Sequence, residues 1–244
     1  MNQRSLILLA ALAGGLMTVN AMTPEDWFAQ GVQADRAGQF SEAAQAFENS
    51  NRQRPAPGTL VNLGRAEWQC GKAGRAILHW EQAQWLDPSD ERAAANLRFA
   101  RLAVQVDPPQ FQWFEVASTW LPDNDWVWMA GFSLWLAVGL VVLPGVFRRP
   151  KAGWHHAVSA LALCVFLFSL TANVGVITRC RLGFLLPKET PLRLTPTQGA
   201  ETVTVLPAGT PARKVRVHGN YIYIRTTETA GWVEREQFDL ICPE

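Results

Sequence analysis

Residues 31–56, GVQADRAGQFSEAAQAFENSNRQRPA, and residues 64–89, GRAEWQCGKAGRAILHWEQAQWLDPS, keep like residue types at like places when laid in register about 33 residues apart. Gly31 falls on Gly64, Gly38 on Gly71, Ala43 on Ala76, Phe47 on Trp80 and Pro55 on Pro88. Small residues recur where the two helices of a hairpin must touch, a large ring fills the neighbouring hole, and a proline ends the second helix. The spacing therefore predicts two stacked helical hairpins, 24–56 and 57–89. A start signal at Ser89-Asp90-Glu91 adds a capping helix over 90–106. Arrays of this kind bind other chains and rarely do chemistry.

Both copies resemble the tetratricopeptide repeat, whose pattern is a large residue, Leu-Gly, Gly, Ala, Phe or Tyr, Ala and Pro. The first carries it on Trp27, Gly31, Gly38, Phe40, Ala43, Phe47, Ser50 and Pro55. The second carries it on Leu60, Leu63-Gly64, Gly71, Ala76, Trp80, Ala83 and Pro88. Gln30 stands where Leu is usual, and the period is one residue short. The resemblance implies a concave binding face lined by the first helix of each hairpin. Equivalent positions place Val32, Arg65 and Arg98 in one row and Asp35, Trp68 and Arg101 in the next, with Asn62 beside them. Arginine forks grip carboxylates and tryptophan is an anchoring ring, so an acidic or C-terminal peptide is the expected ligand class. Ordinary solvated helix positions are the other reading of the same arginines.

The net charge of +1 on 244 residues gives no hint of nucleic acid. Residues 1–21 read as an export signal, with Arg4, an apolar run from Leu6 to Val19 and a small-residue cleavage site at Val19-Asn20-Ala21. Trp126–Phe147 and Ala157–Thr178 carry no Asp, Glu, Lys or Arg. At about 22 residues, or ~33 Å, each matches a hydrocarbon layer of about 30 Å. Both are expected to span the membrane after a linker at 107–125. The loop 148–156, opening Arg148-Arg149-Pro150-Lys151, is expected in the cytoplasm and both termini outside it. In a bacterium this is an inner-membrane protein with periplasmic termini. The spans lack buried charges, which disfavours transport. Many of the eleven tryptophans flank the apolar runs, where such rings anchor at a membrane surface.

Beyond the spans the texture turns to short β segments, 190–195, 201–206, 211–217, 221–225 and 231–233, with turn residues between them. Five such strands predict a small barrel over 179–244. The stretch resembles the bacterial SH3-like domain through Leu192-Arg193-Leu194-Thr195-Pro196, Leu206-Pro-Ala-Gly209-Thr210, Gly219-Asn220-Tyr221 and Gly231-Trp232-Val233. Tyr221, Tyr223 and Arg225 alternate with Ile222 and Ile224 and, with Trp232, form the expected surface for a peptide or a glycan. Core packing of one or two of these rings is the equal alternative. Cys180 and Cys242 flank the stretch, and an oxidising compartment with close barrel ends makes a disulfide the expectation. Burial of Cys180 at the membrane surface is the competing outcome.

Taken in order, signal, repeats, spans and tail, including the helix Asn96–Arg101, look like the BatE family of the Bacteroides aerotolerance operon. The fold class expected is an α+β multidomain membrane protein: tetratricopeptide hairpins, a two-helix transmembrane hairpin and an all-β SH3-like barrel. The resemblance implies membrane partners with von Willebrand type A domains and a MoxR-type ATPase. His79, His155, His156 and His218 form no metal-binding spacing, and no nucleophile, phosphate-loop or dinucleotide motif occurs. No catalysis, cofactor or metal is expected. The function expected is an extracytoplasmic adaptor, with a peptidoglycan-binding envelope protein as the alternative.

Overall fold

Helix boundaries follow local chemistry. Thr23 and Asp26 cap each other's backbone amides at the start of α1 (Pro24–Arg36). Gly38, at φ +76°, turns the chain into α2 (Phe40–Gln53). Pro57 opens α3 (Pro57–Gln69), and Gly71, at φ +75°, leads into α4 (Ala73–Leu86). The Asp90 carboxylate accepts from the Arg92 and Ala93 amides and starts α5 (Glu91–Val104). The computed structural model describes residues 22–147 and 153–242. The export signal expected at 1–21 and the basic stretch 148–152 lie outside the described residues.

The glycine-to-aromatic register of the two copies is a packing fact. A Cβ at Gly31 would meet the Phe47 ring at 2.6 Å, and one at Gly64 would meet Trp80 Nε1 at 2.6 Å. Each hairpin thus closes by laying a buried ring on a bare backbone. Trp80 Nε1 donates to Val61 O at 3.1 Å, so the larger ring of the second copy leaves no orphaned donor.

A short helix α6 (Trp113–Ala117) precedes α7 (Asp123–Val146) and α8 (Gly153–Arg179). The last two are antiparallel, long and apolar enough to cross a membrane. Ser159 Oγ donates across the pair to Ala137 O at 2.9 Å. Ser133, Ser169, Thr171 and Thr178 donate to carbonyls one turn back, so these hydroxyls need no water. Segment 107–125, expected as a linker, instead contains α6, and α6 is docked on α8.

The C-terminal stretch is corrected in two respects. Its described residues form seven strands, β1 (Leu182–Leu185), β2 (Glu189–Arg193), β3 (Thr202–Pro207), β4 (Pro211–His218), β5 (Tyr221–Arg225), β6 (Ala230–Glu234) and β7 (Phe238–Leu240). They form one antiparallel sheet in the order β3-β2-β6-β5-β4-β1-β7, which is not closed into a barrel. The unforeseen β1 and β7 extend the sheet at the β4 side, and helices cover that end. Leu182 and Phe184 pack into a core with Ile77, Trp80, Leu97 and Ala100, while Leu185 packs with Leu192, Ile222, Ile224 and Val233. Gln82 Nε2 of α4 donates to Leu240 O of β7 at 3.2 Å. A helix thus satisfies an edge carbonyl that a barrel would satisfy by closure.

A Cβ at Gly74 would lie against the Leu185 and Leu186 carbonyl oxygens, so α4 meets β1 backbone to backbone. The hairpin unit and the sheet, expected as separate domains, share this core. The two parts of the chain that flank the apolar helix pair therefore come together in one core.

Candidate functional site

On the inner face of the hairpins the expected stripe divides. Arg65 of α3 pairs with Asp35 of α1, so its charge is already matched within the array. Arg101 of α5 is mostly buried against Glu81 of α4, and burial pushes its guanidinium down to about 10. Trp68 lies edge to face with Phe99 at 5.5 Å and tilted to Trp80 at 6.0 Å. It is part of the core's margin and not a free anchor. Asn62 is half-buried. Arg98 is exposed and makes no ion pair among the described residues. With Ala95, Phe99 and Leu102 it forms a contiguous exposed stripe on α5.

On the sheet, paired residues share a face. Arg216 pairs with Tyr223, Tyr223 with Trp232, and Trp232 with Arg193, which makes one row across β4, β5, β6 and β2. The rings of Tyr223 and Trp232 meet edge to face at 5.2 Å. The Arg216 guanidinium stands 5.0 Å over each ring. Arg193 is 3.6 Å from Glu234. Trp232, expected on the surface, is only 6 % exposed because Arg216 and His218 cover it. Tyr221 is half-buried and pairs with His218 and Glu234, while Arg225 points to solvent at the strand end.

The third cluster has no signature in the sequence. Both oxygens of the buried Glu115 accept from Arg213 of β4, at 2.7 and 2.8 Å, and Glu115 Oε2 also accepts from the Gln112 amide at 2.8 Å. Burial pushes the Glu115 carboxyl up, but the bonds from Arg213, Gln112 and Thr178 outweigh it and hold the group below the ordinary carboxylate range. Arg179, the last residue of α8, lies over Trp85 at 4.8 Å and Phe111 at 5.5 Å and donates to Ser118 Oγ at 3.3 Å. Cys180 and Cys242 follow as a disulfide with Cα atoms 5.1 Å apart. Among the described residues this junction ties together the helices, the sheet and the apolar helix pair.

A second buried polar chain runs from α3 to the sheet. Glu67 Oε2 lies 3.2 Å from His79 Nε2, His79 Nδ1 lies 3.0 Å from Gln82 Oε1, and Gln82 reaches Leu240 O. Chemically these clusters can position elements and grip carboxylates. No protein-family model, curated protein or solved structure matches the chain.

Proposed function

We propose that the chain is a membrane-anchored extracytoplasmic adaptor that seats a partner on the uncovered face of its last helix. The observation that carries this reading is the α5 stripe Ala95, Arg98, Phe99 and Leu102, spaced i, i+3, i+4 and i+7, with Phe99 61 % and Leu102 81 % exposed. A terminal helix in a stacked array ordinarily turns a polar face to water. This one offers an apolar stripe with a cation that makes no ion pair among the described residues, which suits an amphipathic helix carrying a carboxylate opposite Arg98.

The tetratricopeptide reading of the hairpins is supported by Phe47 on Gly31 and Trp80 on Gly64. The SH3-like reading of the sheet is supported by positive φ at Gly209 and Gly219, in the turns that the motif names. Contact between the parts flanking the spans supports placing both termini on one side of the inner membrane. Within a BatE-type complex the partners would be von Willebrand type A domain proteins and a MoxR-type ATPase. Peptidoglycan binding has less support, because Trp232 is covered and leaves no open ring pair on which a sugar could stack.

A photo-cross-linking residue at Phe99, activated in native membranes, tests the adaptor. Adducts with a von Willebrand type A protein that vanish in Arg98→Glu support it. Absence of any adduct in the folded protein, or co-sedimentation of the chain with purified sacculi in its place, sinks it.

A further inference from the structure

We infer that α6 and the turn after it form a foot that rests in the outer headgroup layer of the phospholipid bilayer, with Trp113, Val116 and Trp120 turned toward lipid. The inference rests on the reading of α7 and α8 as membrane spans.

The hydrogen bond from Ser159 to Ala137 O sets these two residues at one level. From that level α7 runs about 14 residues back to its start and α8 about 20 residues on to its end, or about 21 and 30 Å. The second helix thus overreaches the first by about 9 Å, and α6 fills the step. Gly175 of α8 has no side chain where the Phe114 carbonyl presses on it, and Ser118 Cβ is 3.0 Å from where a Cβ would stand. Trp126 Nε1, in the first turn of α7, donates to Ser118 O at 3.2 Å. The foot is therefore level with the beginning of the apolar run, where hydrocarbon gives way to headgroups.

The side chains of the foot are sorted for that place. Glu115 turns inward to Arg213, and Ser118 turns inward to Arg179. Trp113 and Trp120 are 66 % and 67 % exposed, and Val116, one turn after Trp113 on the same helix, is 44 % exposed. Beneath Trp120 an apolar cavity of about 530 Å³ opens among Leu121, Trp126, Met129, Cys164 and Phe168. Its rings, Trp120 and Trp126, lie 6.0 and 5.8 Å from Phe168. This surface runs without a break into the apolar flanks of the spans, and an acyl chain suits the cavity. An exposed tryptophan pair is unfavourable against water and favoured among headgroups. The docked foot fixes how the hairpin and sheet units stand on the membrane.

The test uses the full chain with Cys70→Ser and Cys164→Ser, its disulfide kept, in nanodiscs of phosphatidylcholine and phosphatidylglycerol. Nitroxide labels are placed in turn at Trp113→Cys, Val116→Cys and Trp120→Cys. Phe132→Cys on α7 and Gln198→Cys on the β2–β3 turn serve as references. Collision rates with oxygen and with a water-soluble nickel chelate are then compared. At the foot, the ratio of oxygen to chelate rates should fall between the lipid-like value at Phe132 and the water-like value at Gln198. Water-like rates at the foot with lipid-like rates at Phe132 overturn the inference and leave the spans standing. Water-like rates at Phe132 overturn the spans themselves. Low rates with both agents at the foot mean that protein covers it, which also overturns the inference. Val116→Cys, the smallest change, carries the test where a tryptophan variant fails to fold.

Discussion

Arg213→Met removes the cation and keeps most of the side-chain volume, leaving buried Glu115 without its bidentate partner and with only the charge of Arg179 nearby. Breaking a buried pair from one side costs about 3–5 kcal/mol. The Arg213 side chain is 33 % exposed, so water reaches the site and the lower figure of about 3 kcal/mol applies. For a chain of this size that is a fall of about 6–12 °C in thermal midpoint. The pH dependence should change as well. In the native protein the Glu115 pKa is held below its unfolded value, so the stability it contributes is present above the unfolded value and lost as pH falls through the folded one. Without Arg213, burial moves the folded pKa up, so the variant loses the part of this stability that the native carboxylate contributes at higher pH. The deficit relative to the parent should therefore be larger at pH 8 than at pH 5. Intrinsic-fluorescence melting in detergent measures it, and Glu115→Gln with Arg213→Met should recover most of the loss. A deficit under about 1 kcal/mol, typical of exposed pairs, or one equal at both pH values, would show that the pair does not hold α6 to the sheet.

Gly74→Ala should destabilise by about 1–3 kcal/mol because its Cβ meets backbone of β1, whereas Gly58→Ala, with open space around it, should be neutral or stabilising in the same melt. Cys242→Ser opens a loop of 62 residues and should cost about 4 kcal/mol by the chain-entropy relation; an unchanged midpoint, or free thiols in a non-reducing peptide map, would count against the bridge. Arg65→Glu sets a carboxylate beside Asp35 in place of an exposed pair worth about 0–1 kcal/mol, so it should lower the midpoint slightly and spare Phe99 cross-linking, whereas Arg98→Glu should leave the midpoint unchanged and abolish cross-linking. An impermeant thiol reagent should label Gln198→Cys and spare His156→Cys in cells with a permeabilised outer membrane; the opposite pattern would reverse the orientation.

The hairpins were legible because both halves of each contact lie close in the chain and recur. Gly31 with Phe47 and Gly64 with Trp80 repeat one offset, and the turn glycines and proline stops repeat with them. The two apolar helices were legible from composition, since a span needs only length and freedom from charge. Five of the seven strands were legible within a residue or two, because β2 and β5 alternate buried and more exposed residues and all five are set off by turn residues. β1 escaped because Leu182-Gly183-Phe184-Leu185 is buried on both faces and so has no alternation, and β7 escaped because it is three residues long.

What each arginine does was not in the sequence at all. Arg65, Arg98 and Arg101 occupy comparable helical positions, yet one is matched by Asp35, one is buried on Glu81 and one stands free among the described residues. Those outcomes depend on which carboxylate the packed helices bring within a few ångströms. Glu115 and Arg213 meet across 98 residues, a distance at which no periodicity carries information. The sequence by itself determined the local elements, through backbone sterics, turn residues and apolar period. The tertiary structure decided the open sheet, the shared core of helices and strands, the docked α6 and the choice of free and paired charges. These depend on energies of desolvation and close packing that exist only once distant segments have met.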